Sequence, residues 1–267
     1  MKNESTHLVT DAHLVLLSGG GGGAKLAGGI SREFKNLSIT VVSNTGDDFE
    51  HFGLSISPDT DSLLYAMSGQ LDKDRGWGRS QESWKTLDEI RRLGGSDWFQ
   101  LGDKDLALHL LRQNLLKNGM ALTQVTEALC EKFGLSPNHM IIPATDSSIR
   151  TRIVTDEGDM AFQHYFVGLK CQPTVRRIYF EGIDSASPAQ KLKKLFRKKD
   201  ASVTVVLGPS NPFLSLAPIL DIPGMLDLIR EEANFIVAVS PIVGGQALKG
   251  PAAKIMSEFG FAATAEG

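Results

Sequence analysis

Cysteine is scarce: the chain has only Cys130 and Cys171, in no Cys-x-x-Cys arrangement. Two thiols so spaced give neither a disulfide framework nor a thiolate zinc site, and both read as buried small hydrophobes. Long apolar runs are missing too; none approaches the ~20 residues that span a bilayer. An excess of basic residues is also lacking. With 28 Lys and Arg against 31 Asp and Glu, the net charge is -3, which offers no default attraction to nucleic acid or an anionic membrane. The opening MKNESTHLVTDAHLVLL lacks the basic-then-apolar order of a secretory signal, so a cytoplasmic protein is expected. No Gly-Lys-Ser/Thr follows the glycine run, which excludes a P-loop. No two histidines stand at helical metal-ligand spacing, which argues against zinc.

What is present is an ordinary globular composition, 42% hydrophobic and 22% charged over 267 residues, enough for one large α/β domain with a real core. Residues 1–11 are polar and expected to be loose, with residues 12–267 forming the domain. Short β-branched runs each end in a glycine-rich or polar turn. His13–Leu17 runs into SGGGGG, Ile39–Val42 into SNTGDD, Ser202–Leu207 into GPSNP, and Phe235–Val239 into SPIVGG. Continuous apolar runs alternating with helical stretches predict buried parallel strands, a Rossmann-like, mostly parallel sheet flanked by helices. Residues 61–134 read as a helical insertion beside that sheet, three of its helices stopping at a glycine. Residues 150–167 read as a hairpin turning at DEGD. KLKKLFRKKD (191–200) reads as a solvated amphipathic helix.

Five consecutive glycines after a buried strand carry a conformational cost that calls for a reason, most often a phosphate approaching bare backbone at a helix start. The dinucleotide pattern fits only as Gly19-x-Gly21-x-x-Ala24, and the second strand ends in Ser43 and Asn44 where a ribose-binding acid is wanted, so a nicotinamide cofactor is not indicated. Lys25, in the first turn after the glycines, could add a point charge to a phosphate or simply be solvated. Four strand ends carrying small or polar loops predict one long cleft at the carboxyl edge of the sheet. Beside it lie Asp47, Asp48, Glu50, Asp59 and Asp61, then Asp103 and Asp105. Acids next to a phosphate loop make sense if a hard cation such as Mg²⁺ bridges them, although about half of such acids are caps or surface residues. His51 is the histidine expected to face a ligand, whereas His109 falls inside a helix and is expected to pack. Trp77 and Trp98, in glycine-bounded loops, are either ring-stacking platforms or core anchors.

These segments together resemble one family, the 2-phospho-L-lactate transferases of coenzyme F-420 biosynthesis. The resemblance rests on SGGGGGAKLAGGI, VVSNTGDDFEHFGLSISPDTDSLLYAMSG, WFQLGDKDLALHLLR, FQHYFV, GPSNPFLSLAPIL and VAVSPIVGGQALKGPAAKIM, in family order over nearly the whole chain. GWG and the WF segment are most similar to the bacterial, phosphoenolpyruvate-using branch. The resemblance implies transfer of a phospho-acid from a guanosine diphosphate donor to 7,8-didemethyl-8-hydroxy-5-deazariboflavin, releasing GMP and requiring Mg²⁺. It implies that Ser18, Gly19, Gly20, Gly21, Gly22 and Lys25 hold the diphosphate, with Ser210, Asn211, Ser240 and Gly244 lining the nucleotide side. Asp48, Asp59 and Asp61 are the implied Mg²⁺ ligands, Asp48 or Asp61 the implied base, and Asp61, Gln100 and His51 the implied contacts to the deazaflavin. A homodimer is also implied.

Three departures stand out. Gln100 replaces a basic residue that the family tends to carry before LGDKD. Ser147 and Ser148 replace an acidic pair, leaving Asp146. The family's further C-terminal segment is expected to be missing after GFAATAEG. The rival reading is a nucleotide-binding regulator on the same fold, without transfer activity; the intact SPDTD and NTGDDFEHFG blocks favour the enzyme. On sequence grounds Asp61→Asn is expected to abolish transfer and spare the fold.

Overall fold

The computed structural model describes residues 12–197, 202–247 and 250–266. The loose segment expected at 1–11 and the end of KLKKLFRKKD lie outside these residues. In chain order the strands are β1 (Ala12–Ser18), β2 (Ser38–Ser43), β3 (Phe49–His51), β4 (Leu54–Ile56), β5 (His139–Pro143), β6 (Arg150–Thr155), β7 (Gly158–Ala161), β8 (Val175–Glu181), β9 (Ser202–Leu207), β10 (Phe235–Ala238), β11 (Ile242–Val243) and β12 (Gln246–Ala247). The α-helices are α1 (Gly20–Glu33), α2 (Pro58–Met67), α3 (Lys85–Arg92), α4 (Asp103–Lys117), α5 (Leu122–Lys132), α6 (Gln190–Phe196), α7 (Ala217–Leu220), α8 (Met225–Glu232) and α9 (Ala252–Glu258).

Five strands form a wholly parallel sheet in the order β10-β9-β1-β2-β5. Val15 on β1 lies between Thr40 of β2 and Val205 of β9. Because side chains alternate across a strand, β1 feeds two cores. Val15 and Leu17 point into one with Val42, Ile142, Val205, Leu192 of α6 and Ile229 of α8. Leu16 points into the other with Val41, Ile141, Leu63 of α2, Leu108 of α4 and Leu129 of α5. Burial on both faces explains why these strands read as continuous apolar runs. Edge strand β10 is the exception, with Phe235 and Ile236 more than half exposed.

The chain runs outward from β1 through β2 to β5, then returns to the far side of β1 as β9 and β10. This reversal falls at the carboxyl ends of β1 and β9, the place where open α/β sheets put their ligands. A second sheet, antiparallel in the order β7-β6-β8, joins that edge through Thr151, whose N–H donates to the Gly46 carbonyl (2.6 Å). The expected hairpin is present as β6 and β7, but beyond Ala161 the chain enters a π-helical turn, His164–Gly168, rather than continuing as strand. Among the described residues no single helix is long and apolar enough to cross a membrane.

Candidate functional site

The glycine run is strapped to the loop after β9. The Gly19 N–H donates to Ser210 Oγ (3.3 Å), and the same hydroxyl donates back to the Gly19 carbonyl (2.8 Å). The glycines divide by environment. A Cβ on Gly22 would strike the Pro209 carbonyl and one on Gly23 the Ser18 hydroxyl, so these two are glycine because other backbone and side chains already fill the space. Gly21 is exposed, and a Cβ there meets only the Gly76 carbonyl, at 3.9 Å. Gly20 opens α1 with φ 65°, and its N–H donates to Asp59 Oδ1 (2.6 Å). A side-chain carboxylate from the first turn of α2 therefore occupies the first amide of α1. Lys25 projects from the next turn into solvent.

Asn44, at the end of β2, connects this end of the cleft to the acids. Its Nδ2 donates to Asp59 Oδ2 (2.9 Å) and to the Leu214 carbonyl (3.2 Å). Burial pushes Asp59 up to about 6. Neighbouring Asp47 is raised well above the usual carboxylate range by burial and then by the charge of Asp59, although Thr151 Oγ1 donates to it (3.2 Å). Burial likewise pushes Asp48 up to about 7, against a donated bond from Ser57 Oγ to its Oδ2 (2.9 Å). Asp48 Oδ1 is buried and has no partner within the protein.

Asp61 is held differently. Arg112, at 1% exposure one of the most buried side chains, donates to both of its carboxylate oxygens, Nη1 to Oδ2 at 3.1 Å and Nη2 to Oδ1. Arg112 Nη1 also lies 3.0 Å from His109 Nδ1. Burial pushes His109 down to about 4, so its ring is neutral. One turn further along the same two helices, Tyr65 Oη donates to Asp105 Oδ1 (2.6 Å). Sequence reasoning missed Arg112 and Asn44 and assigned His109 to packing. A signal was present: Asp105, His109 and Arg112 fall at i, i+4 and i+7, one polar stripe on an otherwise leucine-rich helix, and all three are buried.

His51 closes the far end. It lies among Phe49, Phe52, Trp98 and Phe99, with ring centroids 6.2, 4.2, 5.6 and 5.7 Å away, and its Nε2 is buried without a partner. Phe52 is 51% exposed at the tip of the β3–β4 hairpin, so the aromatic group has an open side. Gln100 lines a cavity of about 410 Å³ with Arg75, Trp84 and Arg91, among whose walls none of the site aspartates is found. Ser240 Oγ accepts from the Ile242 N–H (3.1 Å), and Gly244 turns the β11–β12 hairpin beyond β10.

Among the described residues, the buried side-chain polar atoms that lack a protein partner are Ser18 Oγ, Thr45 Oγ1, Asp48 Oδ1, His51 Nε2, Asn211 Nδ2 and Thr123 Oγ1. Native proteins leave few such atoms, and each calls for an explanation. Apart from Thr123, on α5, all lie at or just beyond the carboxyl ends of β1, β2 and β9 or on the adjoining β3. Asn211 shows how such an atom is aimed. Its Oδ1 accepts the N–H groups of Phe213 (3.0 Å) and Leu214 (3.1 Å), which leaves the amide as donor with nothing in the protein to receive it. The edge is a row of hydrogen-bonding groups that the protein's own atoms leave unpartnered.

Among the described residues no three His, Cys, Asp or Glu side chains converge as a metal cage. Asp61 is committed to Arg112, and both Asp59 oxygens already accept a bond. Of the expected set of Asp48, Asp59 and Asp61, Asp48 keeps an open oxygen and Asp59 keeps lone pairs to spare. Two carboxylates suit Mg²⁺, which usually keeps several waters and shares substrate phosphate oxygens. Asp47 and Asp59, like charges buried side by side, form an arrangement that a divalent cation would relieve.

Comparison with known proteins identifies the family. Residues 14–266 match the family described as 2-phospho-L-lactate transferase CofD. The 2-phospho-L-lactate transferase of Methanosarcina mazei is 37% identical over 254 residues, 95% of this chain and 82% of that protein. The phosphoenolpyruvate transferase of Kitasatospora aureofaciens is 37% identical over 259 residues, 95% of this chain and 79% of that protein. In fold, the chain is similar to BH3568 of Bacillus halodurans, a member of the UPF0052 family. That crystal structure superposes with a TM-score of 0.57 at 18% identity, over 84% of this chain and 67% of the other. The chain belongs to the 2-phospho-L-lactate transferase CofD family and is a transferase.

Proposed function

We propose that the protein transfers a phospho-acid from a guanosine diphosphate donor to the terminal hydroxyl of 7,8-didemethyl-8-hydroxy-5-deazariboflavin, releasing GMP, as a step of coenzyme F-420 biosynthesis. The observation that carries this reading is the row of unpartnered buried groups from Ser18 and Asn211 to Asp48 and His51. It has a phosphate-type end at the start of α1 and an aromatic end at His51, as a nucleotide donor and a flat tricyclic acceptor require.

Transfer at phosphorus needs positioning and charge neutralisation more than covalent help. Ser18 Oγ, the exposed first turn of α1 at Gly21 and the Asn211 amide bind the donor's diphosphate. Lys25 adds a solvated positive charge beside it, and Ser240 and Gly244 border the nucleotide. Phe49, His51, Phe52 and Trp98 hold the deazaflavin ring. Asp48 orients the acceptor hydroxyl and takes its proton at Oδ1, a role suited to a carboxyl raised to about 7. Asp59, with Asp47 beside it, would hold Mg²⁺ next to the donor's phosphate oxygens, which leaves Asp48 Oδ1 free for the acceptor's proton. A bound Mg²⁺ neutralises charge that develops on those oxygens. The ligands are small molecules, and the protein is expected to work as a homodimer in the cytoplasm.

The test is a mass-spectrometric assay with purified protein, Mg²⁺, the deazaflavin and guanosine diphosphate donors carrying phospholactate, phosphoenolpyruvate or 3-phosphoglycerate. A mass gain on the acceptor with stoichiometric GMP is expected, and the productive donor identifies the acid. Product from none of the three would leave the nucleotide-binding regulator as the better account.

The glycine run supplies a second check. Gly21→Val brings its Cβ only to ordinary contact distance of the Gly76 carbonyl, and the residue sits in a helix where valine is no worse than glycine, so the folded state should be unchanged or slightly more stable. GDP affinity should nevertheless fall at least tenfold by calorimetry, because the isopropyl group covers the first-turn amides. Unchanged affinity would place the diphosphate elsewhere. Gly22→Ala should instead destabilise the fold by about 1–3 kcal/mol, since its methyl group meets the backbone of Pro209.

A further inference from the structure

Arg112 has no part in the roles assigned so far, yet it is a cation buried among the acids of the site. It lies close enough to Asp48 for its charge to bear on that carboxyl as well as on Asp61. The guanidinium has no acceptor atoms, so wherever it meets His109 Nδ1 it must donate. That contact leaves Nδ1 without a proton and places the ring hydrogen on Nε2. One side chain therefore fixes a carboxylate by both oxygens and an imidazole in one tautomer.

The pair also joins the two halves of the cleft. Asp61 sits on α2, whose first turn carries Asp59 at the phosphate end. Arg112 sits on α4, which follows directly on the Trp98–Phe99 segment at the aromatic end. The two helices do not need this pair in order to dock. Tyr65 and Asp105 already bridge them at 2.6 Å, and Leu63, Leu64, Leu108 and Leu129 pack in the same core. A buried ion pair can often be replaced by apolar residues without loss of stability, so stability alone is a weak reason for one here.

We infer that Arg112 is a positioning residue for the transfer reaction, holding the Asp61 carboxylate and the His109 ring as one rigid unit between the donor and acceptor ends of the cleft. This rests on the reaction proposed above. A lysine cannot reproduce the fork, because its single ammonium reaches one carboxylate oxygen and not the imidazole at the same time.

The test compares the unmodified protein with Arg112→Lys and with the paired variant Asp61→Asn/Arg112→Gln, which removes both charges together and avoids a lone buried one. Each is measured for thermal midpoint, for kcat and the KM of both substrates, and for the ¹⁵N shifts of the His109 ring. Arg112→Lys should lose at least tenfold in kcat with both KM values within threefold of the unmodified protein. The paired variant should melt near the unmodified protein and remain at least 100-fold slower. In the unmodified protein the His109 ring should show its proton on Nε2, and that preference should weaken in both variants. Turnover of the paired variant within threefold of the unmodified protein would reduce the ion pair to scaffolding and overturn the inference. A proton on Nδ1 in the unmodified protein would overturn it as well. If the unmodified protein transfers nothing, the proposed reaction fails, and the ring measurement still decides whether Arg112 holds His109.

Discussion

Asp61→Asn should lose turnover by at least 1000-fold and, contrary to the expectation from sequence, should also destabilise the fold. The substitution is nearly isosteric, and from sequence alone Asp61 could be a helix cap or a surface acid with nothing to break. The structure buries it against Arg112, itself 1% exposed. Replacing the carboxylate by an amide leaves a guanidinium without its counter-charge in the interior, a situation that costs about 3–5 kcal/mol. For a chain of this size that corresponds to a fall in thermal midpoint of roughly 6–20 °C. Adding Arg112→Gln to Asp61→Asn should restore most of the midpoint, because no buried charge then remains. Scanning calorimetry on the single and paired variants checks this. An Asp61→Asn protein that melts within 2 °C of the unmodified one would mean that Arg112 finds another partner or reaches water, and the electrostatic description of this half of the site would be wrong.

The difference between the two expectations for Asp61 shows what the sequence can and cannot display. Strand ends were legible because β1, β2 and β9 are buried on both faces and stop at small or polar loops, so their apolar runs and their terminal chemistry stand next to each other in the chain. Strand β5 escaped because its apolar run is only Met140–Ile142, ending at Pro143. In strand β8 the buried Val175 is followed by two exposed arginines, Arg176 and Arg177, which mask its β pattern. Within the site, the acids of NTGDD and SPDTD could be named from their density. Their states could not, because those depend on which group arrives from elsewhere. Asp59 meets the Gly20 amide, Asp61 meets a guanidinium 51 residues on, and Asp48 meets a single hydroxyl. The glycine run shows the same limit. Its five residues are alike in sequence, and contacts with Ser18, with Asp59 and with Pro209 and Ser215, about 190 residues downstream, separate those that must be glycine for packing from the one left open.

The same reasoning gives Asp48→Asn the opposite sign in stability. Asp48 is buried with one carboxylate oxygen unpartnered, and burial raises it from 3.8 to about 7. A folded-state value above the unfolded one means that the folded protein binds the extra proton between those two pH values. The stability contributed by this group is therefore complete below about pH 4, falls as pH rises towards 7, and is absent above it. Asparagine carries no charge at any pH and escapes that loss, although its amide hydrogens then need acceptors at a buried position, a cost of about 1–3 kcal/mol. With the carboxylate penalty at about 4 kcal/mol above pH 7, the variant should be more stable at pH 8 by on the order of 1–3 kcal/mol. It should be no more stable than the unmodified protein near pH 4. Denaturant melts at both pH values, without divalent cations, read the difference directly. Turnover should meanwhile fall by about 100- to 10,000-fold, the usual cost of losing a positioned proton acceptor. Greater stability with lost activity is the mark of a group kept at an energetic disadvantage for its chemistry. Lower stability at pH 8 would show that the Asp48 carboxylate is satisfied in the fold and is not held open for a ligand.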